Sequence, residues 1–188
     1  MSINDLFNIL LCDRPSFFIE EKENDLFNLI PEFQECKGFN QNNEWHIYDV
    51  YEHILHVVDN VPADIVLRLA ALFHDIGKPS CYSVDNNGVG HFYGHYKVSK
   101  KIFDEFADRN NIDSRLKYFV GNLIFYHDIN ISKLSGVDLF ELYTLLGVDG
   151  IKKLFDLKRA DLLAQNSKFH YILDDYSEQE GRLLLRYK

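Results

Sequence analysis

Between Pro62 and Pro79 the chain reads Ile65-Val66-Leu67-Arg68-Leu69-Ala70-Ala71-Leu72-Phe73 and then, with no polar transition, His74-Asp75. A segment apolar on almost every side is a helix buried at the centre of its domain. Pro62 and Asp64 suit its first turn, and Gly77 with Pro79 marks its end. Other elements must therefore wrap this helix, and it carries an imidazole and a carboxylate into the interior. A buried carboxylate without a partner is costly, so Asp75 needs one from elsewhere in the chain.

Helical spacing supplies the wrapping elements. Ile3, Leu6, Phe7 and Leu10 recur behind Ser2 and Asp5, a weaker run covers 18–30, and Val50, His53, Ile54 and Val57 form one stripe within 48–59. Further helices are expected over 97–108, 114–127, 137–146, 150–165 and 169–185, while 31–45 reads as polar and irregular. Asp85-Asn86-Asn87-Gly88 lies between β-prone residues, which predicts a short β-hairpin or an ordered loop near residues 81–93. The fold class is all-α. One domain over 1–188 is expected: an N-terminal helical arm at 1–30, a core at 31–166 and a C-terminal helix at 167–188.

At 188 residues and 46% hydrophobic content the chain can bury a core without disulfides. Its formal charge of −9, with no Lys/Arg cluster, argues against an extended nucleic-acid binding surface, though not against local contact with an RNA end. Cys12, Cys36 and Cys81 are odd in number and scattered, which suits reduced thiols and a cytoplasmic location. No stretch approaches eighteen uncharged apolar residues, so no membrane span or signal peptide is expected, and oligomeric state is left open.

Five ionisable residues fall where the helical pattern turns them inward: His53, His74, Asp75, His127 and Asp161. His127 shares a face with Val120, Leu123 and Ile124, and Asp161 lies beside Leu154, Leu157 and Ala164. A single histidine on an apolar face is usually a hydrogen-bonded core residue. Five such groups would each need separate compensation, whereas a divalent transition metal, one or two ions of Mn, Fe, Co, Ni or Zn, satisfies imidazole and carboxylate together.

The order of these residues resembles the HD superfamily, whose pattern is a His, a His-Asp pair and a distant Asp; here they are His53, His74-Asp75 and Asp161. The similarity is greatest to the HD domain of bacterial CCA-adding tRNA nucleotidyltransferases. It is carried by the segments 46–53, from His46 to His53, and 69–79, from Leu69 to Pro79. Gly90-His-Phe-Tyr-Gly-His95 and Leu157-Lys-Arg-Ala-Asp161-Leu-Leu-Ala-Gln165 extend it. The resemblance implies an HD-type helical bundle that hydrolyses phosphate esters of a small nucleotide or an RNA end, with 2′,3′-cyclic phosphates or phosphomonoesters as substrates. The stretch before His53 is too short for a nucleotidyltransferase head, and no Asp-x-Asp metal pair is present, so CCA addition by this chain alone is not expected.

By the same resemblance His53, His74, Asp75 and Asp161 hold a first metal. His95 and His127 occupy positions of second-metal ligands, with Asp75 bridging; with one ion, those histidines contact phosphate instead. Asp75 and Lys78 are the candidate catalytic residues. Lys78 and His91 are the candidate phosphate contacts, Lys78 being alternatively a solvated helix cap. Asp128 and Arg159 adjoin ligands and are candidates to orient them, and Tyr93 is a candidate neighbour of a bound base. Two other readings stay open: a di-iron oxygenase of the same fold, and a non-catalytic metal- or nucleotide-binding module.

Overall fold

The computed structural model describes residues 1–186. The apolar run forms α6 (Ile65–Phe73), and Leu69 through Phe73 are wholly buried. Asp64 caps its start, accepting hydrogen bonds from the Val66 and Leu67 amides at 2.9 and 3.1 Å. Around it pack α1 (Ile3–Leu10), α5 (Val50–Asn60), α7 (His95–Arg109), α8 (Ser114–Tyr126) and α9 (Gly136–Leu163). The Phe73 ring ends the helix among Phe33, Phe103 and Phe106, with centroids 5.0 to 6.2 Å away. This aromatic cluster is the floor beneath His74 and Asp75.

The elements begin where local chemistry says they should. Ser2 with Asp5, Asp49 with Glu52 and Ser135 with Asp138 form reciprocal capping boxes at α1, α5 and α9. A two-stranded antiparallel hairpin, β1 (Ser83–Val84) and β2 (Gly90–His91), pairs Ser83 with His91 and Val84 with Gly90. It is the one sheet among the described residues, so the molecule is an all-α bundle with a short hairpin, as expected. The C-terminal α10 (Ile172–Arg186) packs against α9. Among the described residues no helix is long and apolar enough to cross a membrane.

Three segments differ from the periodicity. The run over 18–30 is broken at Lys22 into α2 (Pro15–Glu21) and α3 (Glu23–Leu29). Ser16 explains the break: its amide and hydroxyl bond the Asp59 carboxylate at 3.0 and 2.5 Å, which ties α2 to α5, while α3 turns to pack on α4. That α4 (Glu32–Cys36) lies in the stretch read as irregular. Five residues are too few to show a period, and burial of Phe33 and Cys36 is what holds them. Lastly, the segments 137–146 and 150–165 join as α9 with a kink at Gly147, whose φ of 64° and ψ of −177° only glycine adopts readily.

Candidate metal centre

His74 caps the C-terminal end of α6 and Asp75 follows in the turn, so both leave the most buried helix pointing at the same space. α5 delivers His53, the first turn of α7 delivers His95, the end of α8 delivers His127 and α9 delivers Asp161. Gly77 permits the approach of α7. A Cβ there would lie 2.7 Å from the Ser99 amide nitrogen and 2.8 Å from the His95 carbonyl, both backbone atoms.

Asp75 stands between two donor groups. Its Oδ2 is 3.3 Å from His53 Nε2 and 3.2 Å from His74 Nε2. Its Oδ1 is 3.1 Å from His95 Nε2 and 3.6 Å from His127 Nε2. Asp161 Oδ1 completes the first group, 3.0 Å from His53 and 3.9 Å from His74. Within each group, His53-His74-Asp75-Asp161 and Asp75-His95-His127, the ligand atoms lie within 4.8 Å of one another.

The ring orientations show what this arrangement fits. Each histidine places Nδ1 at a backbone carbonyl: His53 at Ala164, His74 at Ala71, His95 at Phe92 and His127 at Ile124. A carbonyl can only accept, so Nδ1 carries the proton and a neutral ring turns the Nε2 lone pair inward. Two such nitrogens face each other at 3.4 Å (His53 and His74) and two more at 3.2 Å (His95 and His127). Lone pairs at that separation need a cation between them. Asp75 Oδ1 is buried and has no hydrogen-bond partner although His95 Nε2 is close, which is how two ligands of one ion are placed. The residues therefore fit a divalent metal in both groups.

The same geometry governs protonation of the metal-free site. Burial opposes charge on Asp75, yet His74, Lys78 and the adjacent His127 and His53 hold its carboxyl well below the usual range. Burial likewise opposes ionisation of Asp161, and His53 outweighs it. His53 and His95 are raised above the ordinary histidine value, because the adjacent Asp161 and Asp75 carboxylates outweigh desolvation. In His127 burial prevails and lowers it.

Lys78 reaches the centre but is not free. It is 4% exposed, and its ammonium meets Asp75 Oδ2 at 2.6 Å, Gln41 Oε1 at 2.7 Å and His46 Nε2 at 3.1 Å, one acceptor for each proton. It is thus no solvated cap. His91 sits outside the ligand cluster, on the hairpin; its Nε2 is 3.2 Å from Asp85 Oδ2 and its ring stacks on Tyr93. Both residues line the cleft above Asp75. Asp128 lines that cleft as well, whereas Arg159 points away, bonding Asp156 and Glu180 to fasten α9 to α10.

Four polar residues at the site are not among the sequence candidates, although His46 and Gln165 bound segments that carry the family resemblance. His46 is half-buried against His53 and Lys78, and desolvation with the Lys78 charge lowers it to about 2, so it is a neutral acceptor. Gln41, 1% exposed, holds Lys78 from an irregular loop that no period marks. Gln165 donates to Asp161 Oδ1 at 3.0 Å from just beyond the C-cap of α9, where helical periodicity no longer operates. Lys158, buried on α9, donates to the His127 and Ile129 carbonyls at 2.5 and 3.1 Å and so pins the end of α8.

A helical bundle that gathers histidines and aspartates from five elements around one buried carboxylate defines a metal-binding domain of the His-Asp type. The chain belongs to the HD domain family, whose model matches residues 45–166 and so includes all six clustered ligands. It is also similar to an A-adding tRNA nucleotidyltransferase of Deinococcus radiodurans, with 33% identity over 86 residues. That match covers 43% of this chain and 20% of the relative, so the chain spans a fifth of that protein's length. Family and donor set together indicate a metal-dependent phosphohydrolase in the general sense.

Proposed function

We propose that this chain is a binuclear metal-dependent phosphohydrolase acting on a nucleotide or RNA-terminal phosphate ester, with 2′,3′-cyclic phosphates as the first substrates to test. The observation that carries this reading is the split of Asp75, Oδ2 toward His53 and His74 and Oδ1 toward His95 and His127. In this reading His53, His74, Asp75 and Asp161 hold one ion and Asp75, His95 and His127 the other. When bound, two ions lower the pKa of an attacking water and neutralise charge on the phosphoryl oxygens.

The remaining work belongs to the chain. The four carbonyl-anchored rings keep every Nε2 aimed inward before substrate arrives, so little reorganisation is needed. Lys78, released from Asp75 as that carboxylate turns to its ligand role, supplies a point charge to a phosphate oxygen. His91, at the hairpin rim, is placed to donate to a leaving oxygen. The partial match to a tRNA nucleotidyltransferase supports an RNA end or nucleotide as the substrate.

The test pairs elemental analysis with hydrolysis of 2′,3′-cyclic AMP after loading with Mn, Co or Ni, against a His74→Ala, Asp75→Ala control. About two ions per chain and turnover lost in the control are expected. One ion with turnover would retain the enzyme but reassign His95 and His127 to phosphate binding. No metal and no turnover under any loading would sink the reading.

A further inference from the structure

The cleft over the ligands has two lobes, of about 760 and 580 Å³, each within the range of small-molecule sites. Both are lined by Trp45, His46, His127, Asp128, Asp161 and Gln165, so both open onto the same ligands. The hairpin-side lobe adds Lys78, His91, His95 and Lys97. The other lobe is closed by α10 and adds Asp175, Tyr176 and Lys158.

Their electrostatics differ. Lys158 is the cation of the α10 lobe, yet its ammonium is turned onto two backbone carbonyls and lies over the Tyr176 ring at 5.3 Å. Asp128 and Asp161 are common to both lobes, and the α10 lobe adds Asp175 with, among the described residues, no free cation to offset it, which disfavours a phosphate there and leaves room for a flat neutral group bearing N–H donors. The lysines and histidines of the hairpin lobe suit the anion.

Trp45 forms the wall common to both lobes. One face of its indole is stacked on Phe169, with centroids 3.6 Å apart and planes inclined 14°, yet the residue remains 39% exposed. Its backbone is fixed on both sides: the Trp45 amide donates to Asn43 Oδ1 at 3.1 Å, and the Asn166 amide donates to the Trp45 carbonyl at 2.8 Å. An exposed indole that is already immobilised loses little entropy when a second ring stacks on it.

We propose that Trp45 is a nucleobase-stacking platform, and that the α10-side lobe is the base subsite for a nucleotide whose phosphate lies over the His/Asp ligands. The proposal rests on the phosphoester reading of that centre and adds to it the part of the substrate that is recognised. Asp128 and Asp175, which the His/Asp ligand groups do not use, accept from N–H groups on the base edge, and the sugar spans the shared wall.

Trp45 is the only tryptophan in the chain, so its emission reports on the subsite directly. The metal-loaded protein is titrated with adenosine 5′-phosphorothioate and, separately, with ribose 5-phosphate. The nucleotide is expected to quench the emission saturably and to bind on the order of tenfold more tightly than ribose 5-phosphate, the usual worth of one stacked base. In Trp45→Leu, followed by calorimetry and checked for unchanged metal content, that preference is expected to vanish. Trp45→Phe is expected to restore most of it. Equal binding of the two ligands by the natural protein, or a preference that survives in Trp45→Leu, would overturn the proposal. Because these readouts need no turnover, the two readings separate. Hydrolysis without a base preference removes the subsite alone, and a Trp45-dependent preference without hydrolysis removes the phosphohydrolase alone.

Discussion

Asp75 is asked to serve both ligand groups with a single carboxylate, and nothing else in the site can replace its charge. Asp75→Asn keeps the volume and one oxygen but offers an amide where Oδ2 or Oδ1 now meets two histidines. Metal content is expected to fall from about two ions per chain to below one, read by elemental analysis of the dialysed protein. Lys158 acts at a distance from the ions. Lys158→Met leaves the His127 and Ile129 carbonyls without their donor in a buried setting, at a cost of about 2–4 kcal/mol visible as a lower Tm. A freed α8 end is also expected to weaken the His95-His127 group first, so stoichiometry drops toward one ion. Burial, opposed by the charges of Asp128 and Asp161, lowers the Lys158 ammonium to about 8.

Two glycines decide how elements meet. In Gly77→Ala the new methyl would press on the backbone of Ser99 and His95, which cannot rotate aside, so α7 must move off the end of α6. Overpacking of this kind costs about 1–3 kcal/mol. The element displaced carries His95, so a two-step metal titration by calorimetry should show the weaker step lost while the step assigned to His53, His74 and Asp161 survives. Gly147→Ala tests a kink rather than a contact. Its φ of 64° with ψ of −177° is strained for alanine by about 1–3 kcal/mol. Tm is expected to fall with metal stoichiometry unchanged, because the kink precedes Asp161 by several turns of α9; a loss of metal would mean that the kink positions Asp161.

Protons and metal compete for the centre, and the whole molecule registers the competition. Above about pH 6.5, the ordinary histidine value, the histidines that still titrate with a folded-state advantage are His53 and His95, both raised, and Lys158, lowered to about 8, acts in the opposite sense only from about that pH upward. A raised group contributes stability that is present below its unfolded value and is lost as pH rises through its folded value. His46 and His127, both lowered, act in the opposite sense and only below that value. The depressed Asp75 and Asp161 lose their contribution only as pH falls through their folded values, in strong acid. The metal-free protein is therefore expected to melt at lower temperature as pH rises from about 6.5 toward about 8, below the range in which Lys158 titrates. Metal requires neutral imidazoles, so the loaded protein is expected to gain stability over the same interval. Calorimetric scans with chelator and with Mn should diverge; parallel curves would contradict the assignment of His53 and His95 as ligands.

The architecture and the ligand types are written in the order of residues. An apolar run ending in His74-Asp75 admits only a central helix that exports a carboxylate into the core, and helical spacing aimed His53, His127 and Asp161 inward. Family resemblance, not periodicity, singled out His95, Lys78 and His91, because they lie in turns and at a helix start where no period operates. How these residues divide emerges only once the helices are packed. Two oxygens of one side chain face two histidine pairs, Lys78 is enclosed by Gln41 and His46, and Trp45 stands at the junction of two lobes. Periodicity reports which face of an element turns inward. It carries no information on which atoms of different elements then come within 4 Å, because that depends on how the helices cross and on close approaches such as the one Gly77 allows.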